Sequence, residues 1–261
     1  MDKVKVEVKN ISKSFSTATD GKPLPVVDNV NFKVYDGEFL CIVGPSGCGK
    51  TTVLRIIAGL QKADSGEVLL DGMKTESPST KKGMVFQEFA LFPWRTVQKN
   101  VEFGLEYKGM PKEEREKLSK KYISMVGLEG YEKSYPHQLS GGMKQRVAIA
   151  RALVNDPEFL LMDEPFGALD AQTRNILQDE LLRIWTETKK TIIFITHNVD
   201  EAVYLGNRVL VLTKRPAKIK KEFKVALSRR RKRTNIEFVM LRKEILDELM
   251  EEINILSPQS T

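Results

Sequence analysis

Five stretches of the chain are apolar at consecutive positions: "GEFLCIVG" (37–44), "GMVFQ" (83–87), "EFLLMDE" (158–164), "TIIFIT" (191–196) and "RVLVL" (208–212). They are short and rich in Val, Ile, Leu and Phe. Strands of that kind need cover on both faces, as in a parallel sheet. Helical patterns separate them, and that alternation gives an α/β class. The opening "MDKVKVEVKN" instead alternates apolar with polar residues. "EVLLDGMK" ends at Asp71-Gly72, a pair suited to a hairpin turn. An additional antiparallel sheet is therefore expected near the N-terminus. The intervening "TATDGKPLP" reads as a loop between early strands.

Residues 88–156 read differently. No buried strand stands out there, and "PKEEREKLSKKYISMVGL" sets Leu118, Tyr122 and Val126 four apart on one helical face. We expect a helical subdomain over 88–156, inserted in an α/β core formed by 1–87 and 157–225. "IEFVMLRKEILDELMEEINIL" places Phe238, Leu241, Ile245, Leu249 and Ile253 at helical spacing. Residues 226–261 are therefore expected to be a basic linker and a helix docked on the core.

Composition narrows the class. At 261 residues, 41% hydrophobic and 30% charged, the chain has the make-up of a soluble globular protein. No apolar run approaches the roughly 18 residues of a membrane span, and the N-terminus has no signal-peptide core. Two cysteines, Cys41 and Cys48, are too few for a disulfide framework and suggest a reducing compartment. The net charge of +7 is carried in large part by "KRPAKIKK" (214–221) and "RRRKR" (229–233). These segments read as a solvated linker and face, or as a contact for an anionic membrane surface or a partner.

The most specific chemistry lies at "GPSGCGKT", Gly44 to Thr51. This is G-x-x-x-x-G-K-[ST] between a strand and a helical stretch. Gly44, Pro45, Ser46, Gly47, Cys48 and Gly49 form a loop whose N–H groups can cradle phosphates at a helix N-terminus. Lys50 reaches the β- and γ-phosphates, the Thr51 hydroxyl suits Mg²⁺, and Thr52 follows in the same turn. Cys48 is read as a small residue of the loop rather than a redox group. Asp163 and Glu164 end an apolar strand, where the first suits the metal shell and the second a water-polarising role. Gln87 and His197 sit at strand ends in the same manner. A strand-end histidine is otherwise a structural residue.

Taken together, "GPSGCGKT", Gln87, "LSGGMKQR" (139–146), "LLMDEP", "ALD" (168–170) and His197 resemble the ATP-binding-cassette ATPases, in order and spacing, over nearly the whole chain. The resemblance implies a P-loop NTPase, RecA-like core that binds ATP and Mg²⁺. It implies Thr51, Gln87 and Asp163 around the metal, Glu164 as the catalytic base, and Gln87 and His197 beside it. In that family, the Ser140-Gly141-Gly142 signature caps the ATP of a second copy. These residues open a helix and carry no lysine or metal ligand, which suits a γ-phosphate delivered from outside. Asp170 falls on the loop between the two sites. Phe15 matches the adenine-stacking aromatic, although a core phenylalanine fits the position nearly as well. Met143 departs from the family's usual glutamine.

"LFPWRTV" and "PFGALDAQTR" resemble importers of nitrate, sulfonate, taurine and related small anions. That likeness implies a separate transmembrane permease, a solute-binding protein acting indirectly, and a place at the cytoplasmic face of the membrane. Phe92, Pro93 and Trp94 either dock the permease or pack the helical subdomain. No nucleic acid is expected as a partner. The alternatives are a cassette ATPase acting on soluble partners in iron–sulfur assembly, repair or ribosome function, and a P-loop kinase.

Overall fold

The computed structural model describes residues 3–17, 21–229 and 231–254. The chain forms two compact units, one of residues 1–78 with 191–261, the other of residues 79–190.

The first unit begins with β1 (Val4–Ser16), β2 (Pro23–Tyr35), β3 (Phe39–Val43), α1 (Lys50–Ala58), β4 (Ser65–Leu70) and β5 (Met73–Lys74). β2, β1, β4 and β5 make the expected antiparallel sheet, in that order. The early loop is shorter than its composition suggests, because Pro23 and Pro25 already pair with Ser16 and Ser14. β2 is an edge strand, where a missing proline N–H costs no ladder bond. Residues 18–20 of that loop lie outside the described residues. The β4–β5 turn has Asp71 at φ 48° and Gly72 at φ 80°, the two left-handed positions of a tight hairpin. Asp71 also pairs with Lys3 at 2.9 Å and Lys5 at 2.6 Å, which ties the turn to β1.

The second unit contains β6 (Lys82–Val85), α2 (Val97–Tyr107), α3 (Lys112–Met125), α4 (Gly141–Leu153), β7 (Phe159–Asp163) and α5 (Ala171–Thr188). β6 and β7 are parallel neighbours. α2, α3 and α4 pack on one another, and residues 88–156 hold no strand. The buried face of α3 differs from expectation. Ile123 and Val126 are buried with Ser119, whereas Leu118 and Tyr122 sit half-buried on its flank. The polar Ser119 is recruited because Glu102 of α2 is fully buried. Its carboxylate accepts from Lys99 Nζ at 2.8 Å and from the Ser119 hydroxyl at 3.2 Å. A buried carboxylate requires such partners, and apolar periodicity cannot report them.

The chain then returns to the first unit as β8 (Thr191–Ile195), α6 (Val199–Leu205), β9 (Arg208–Leu212), β10 (Ile219–Lys224) and α7 (Ile236–Asn254). β9 and β8 flank β3 in parallel, and β10 adds antiparallel to β9. Every residue of β3, β8 and β9 is buried, as their unbroken apolar runs require. α7 packs on α6 and β9. Phe238, Ile245 and Leu249 are buried and Leu241 half-buried, but Ile253 is exposed. Glu252 takes the buried place instead, since its carboxylate accepts the Lys214 N–H at 2.9 Å.

The two basic segments are solvated only in part: Arg215, Lys218, Lys221 and Lys232 are exposed, and other cations are drawn inward. Arg231 is buried, and its Nη1 donates to the carbonyls of Val203, Tyr204 and Gly206 at 2.7, 3.0 and 2.7 Å. Arg229 donates to Leu205 O at 2.6 Å. Arg233 pairs with Asp200 at 2.6 Å and lies 3.9 Å over the Tyr204 ring. Arg229 and Arg231 bond the carbonyls that the end of α6 leaves without main-chain partners. Burial, and then the charge of Arg229, push the Arg231 pKa down to about 10, which leaves it a cation at neutral pH. Arg230 lies outside the described residues. In the earlier segment, Lys218 pairs with Asp28, and Lys220 and Lys221 pair with Glu248.

Two outcomes follow from these bonds. Arg231→Met strands three buried carbonyls and is expected to cost about 3 kcal/mol, read from urea unfolding. Lys5 and Lys3 hold the Asp71 carboxyl at about 2, below its ordinary 3.8. A depressed carboxyl stabilises the fold above its unfolded pKa, and that stability is lost as pH falls through the folded one. Asp71→Asn should therefore cost about 2 kcal/mol at pH 7 and about half as much at pH 3, measured by denaturant titration at the two pH values.

Candidate nucleotide-binding site

In the first unit, the fully buried β3 ends at Val43, and the chain curls through Gly44–Gly49 into α1. Gly47 and Gly49 have φ of 71° and 124°, and a Cβ on Gly49 would stand 2.8 Å from the Val26 carbonyl oxygen. No residue but glycine fits there. Gly44 and Pro45 are buried, and Ser46 is exposed. Lys50 is buried, and its Nζ donates to the carbonyls of Gly44 at 2.9 Å and Pro45 at 3.1 Å. The Cys48 N–H donates to Pro45 O at 3.3 Å. Thr51 and Thr52 are half-buried in the first turn of α1, which carries no acidic residue. The loop therefore presents a positive helix end with a lysine at its root. Cys48 is buried, and burial pushes its thiol pKa up, so the residue is a packing group with little thiolate.

Two other candidates lie in this unit. Phe15 is near the end of β1, 39% exposed, with Lys13 Nζ 5.5 Å from the ring centroid. That exposure does not fit a core phenylalanine. His197 is exposed, two residues beyond β8. The backbone on each side of it is fixed. The buried Thr196 hydroxyl donates to Glu201 at 2.6 Å and accepts the Asn198 N–H at 3.0 Å. The Asn198 side chain caps α6. Thr196, Asn198 and Glu201 escaped the sequence analysis. Asn198 and Glu201 do have the spacing of a cap residue and the third residue of its helix, a signal that was present.

In the second unit, Asp163 is the last residue of β7 and 4% exposed. Glu164 follows at φ 43°, a left-handed conformation that is strained for a residue with a side chain. Its carbonyl accepts the Gly167 N–H at 3.1 Å, which holds the strained turn closed. Gln87 is exposed, two residues past β6. A Cβ on Gly167 would lie 4.0 Å from its amide nitrogen.

Ser140 caps α4, and its hydroxyl oxygen accepts the Met143 N–H at 3.3 Å. Position 143 thus supports the cap through its main chain, so methionine there leaves the cap intact. Gly141 and Gly142 let α4 approach the start of α5. A Cβ on Gly141 would come within 3.2 Å of Leu169 Cδ2, and one on Gly142 within 2.7 Å of Thr173 Cγ2. Asp170 caps α5 by accepting the Thr173 N–H at 2.9 Å, and that backbone bond lowers its carboxyl pKa. Two helix N-termini, neither with an acidic first turn, therefore open side by side.

The ABC transporter family model matches residues 27–167. An uncharacterised ABC transporter ATP-binding protein of Methanocaldococcus jannaschii is 60% identical over 251 residues, which are 96% of this chain and 93% of that protein. This chain belongs to the ABC transporter family. The aliphatic sulfonates import ATP-binding protein SsuB of Bacillus cereus is 47% identical over 243 residues, 93% of this chain and 95% of that protein. A dimeric ATP-binding cassette, solved in a post-hydrolysis state with ADP and Pi, matches with a TM-score of 0.75 at 38% identity. It covers 85% of this chain and 100% of its own. The fold is accordingly the α/β P-loop type, with its antiparallel β subdomain, and the protein is an ATP-binding ATPase.

The glycine at 142 sets two effects in opposition. Alanine raises helix propensity by about 1 kcal/mol, while the clash with Thr173 costs about 2 kcal/mol. Gly142→Ala should therefore lower stability by about 1 kcal/mol, and the same change on a Thr173→Ala background should raise it. Urea midpoints of the four proteins check the reversal of sign.

Proposed function

We propose that this ABC ATPase is the nucleotide-hydrolysing subunit of an importer. It couples ATP-driven closure of two copies to uptake of a small anion of the nitrate, sulfonate or taurine kind through a separate permease. The observation that carries this reading is the 47% identity, over 93% of the chain, to a sulfonate-import ATP-binding protein. Among the described residues no helix is long and apolar enough to cross a membrane; this reading assigns the spanning path to the permease. The subunit acts at the cytoplasmic face, and a solute-binding protein supplies the permease from the other side. The basic segments are engaged in internal bonds, which favours a reading without nucleic acid.

Residues 1–225 form the cassette, with 88–156 as its helical subdomain and 226–261 as a buttress. The helical subdomain offers the permease an aromatic patch. Trp94 is 71% exposed, and Phe92 lies 5.7 Å from Trp94 and 4.6 Å from Phe103. Phe92 is half-buried, so it anchors the patch while Trp94 presents it.

The roles proposed for the site residues are those that membership of the family implies. Phe15 stacks on adenine, and the Gly44–Thr52 loop surrounds the phosphates with N–H groups. Lys50 neutralises charge that develops on the β–γ bridge. Glu164 orients and polarises the attacking water, with Gln87 and His197 at the γ-phosphate. Ser140, Gly141 and Gly142 cap the nucleotide of the second copy, and Asp170 lies on the loop between the two sites. The donors assigned to a metal are the Thr51 hydroxyl, the Gln87 amide oxygen and the Asp163 carboxylate. All are hard oxygen atoms. Among the described residues no group of three or more His, Cys, Asp or Glu is placed to hold a metal. These oxygen donors would hold Mg²⁺, which would supply Lewis-acid stabilisation of charge on the phosphates.

Glu164→Gln is expected to bind ATP and to lower turnover by at least about 100-fold, accumulating as a dimer on size exclusion. Turnover at the parental rate would remove Glu164 from the base role. Tagged Glu164→Gln with Mg-ATP should retain a polytopic membrane protein from detergent-solubilised native membranes. Retention of soluble proteins or ribosomes alone would sink the importer reading and favour a cassette with soluble partners.

A further inference from the structure

The P-loop has an outside as well as an inside. On that outside the Gly47 carbonyl accepts two hydrogen bonds from one side chain, Arg215 Nη2 at 2.7 Å and Nε at 3.1 Å. Arg215 sits in the segment joining β9 to β10. That segment is closed on itself by Thr213 N–H to Lys218 O at 3.0 Å and by the Thr213 hydroxyl to Pro216 O at 3.0 Å. Its position is set from α7. The Lys214 N–H donates to Glu252, which is buried, and Lys220 pairs with Glu251 at 2.7 Å and Glu252 at 3.4 Å. The bonds thus run without a gap from the last turns of α7, through 213–217, to the middle of the phosphate loop.

The bonded peptide is a consequential one. The unit joining Gly47 to Cys48 is held at both ends, its carbonyl by Arg215 and its N–H by Pro45 O. Gly47 is in the left-handed region at φ 71°, where glycine has most freedom to flip. A loop that binds phosphate through oriented N–H groups loses affinity when its peptides sample other orientations. A fork bonded twice to one carbonyl suppresses that sampling and brings a fixed positive charge to the loop.

We propose that Arg215 is a positioning residue of the phosphate cradle, and that α7, through Glu252, sets Arg215. The C-terminal helix is then a determinant of nucleotide affinity although it supplies no group to the nucleotide. The proposal rests on the nucleotide reading of residues 44–52 and names what holds them.

The test measures Mg-ATP and Mg-ADP affinity by fluorescence titration, with KM and kcat, for Arg215→Met, Arg215→Lys, Glu252→Gln and the Arg215→Met/Glu252→Gln pair. Lys50→Ala serves as the control for the cradle, and thermal unfolding checks each fold. Arg215→Met is expected to weaken both nucleotides about tenfold, with the loss falling on KM more than on kcat. Arg215→Lys, which restores one donor, should recover part of it. Glu252→Gln should weaken binding less, about threefold, and should add nothing on the Arg215→Met background. Unchanged affinity in a folded Arg215→Met protein overturns the proposal. An effect of Glu252→Gln that persists undiminished in the pair overturns the link to α7. If Lys50→Ala binds nucleotide normally as well, the cradle reading itself has failed, and the two failures are thereby distinguished.

Discussion

The first turn of an α-helix has N–H groups that no carbonyl of the same helix can reach. This protein organises its chemistry around that constraint. At α1 the N–H groups open into the Gly44–Gly49 loop, with Lys50 at the root and no acidic side chain in the turn. At α4 and α5, the side chains of Ser140 and Asp170 accept the Met143 and Thr173 N–H groups. A helix start capped in full by its own carboxylates would be stable and would have little left for a phosphate. Here the caps are partial, which is the general condition for a helix start to keep anion-binding character.

Partial capping works only if the frame behind the helix starts is rigid. The parallel strands provide this by being buried at every position. A strand with both faces covered has few ways to shift, so a residue one or two places beyond its end is delivered to a fixed point. Glu164 and His197 follow buried strands by one and two residues. Glu164 shows the energetic cost, since it holds a left-handed backbone that a residue with a side chain rarely adopts.

The C-terminal region braces elements of its own unit. Charged groups that would usually face water are drawn onto main-chain atoms instead. Arg231 bonds the end of α6, whose start holds the backbone beside His197. Glu252 bonds the segment that carries Arg215 to the phosphate loop. In both cases a single side chain satisfies backbone groups that would otherwise be left without partners, and desolvation makes such bonds costly to break.

The sequence by itself determined the class of the fold, the antiparallel sheet, the helical stretch at 88–156 and the identity of the phosphate loop. Those features are local. Unbroken apolar runs, a glycine spacing, and a strand–loop–helix order are each written in neighbouring residues. The tertiary structure decided which charges are internal. Nothing in "RRRKR" says that Arg231 is buried on three carbonyls, because its partners lie about 25 residues or more away in the chain. The same holds for the face of α3, where Glu102 of α2 draws Ser119 inward and moves Leu118 and Tyr122 aside. Periodicity reports where apolar side chains should go. It is silent on polar pairs, whose burial depends on a partner that only the folded chain brings near.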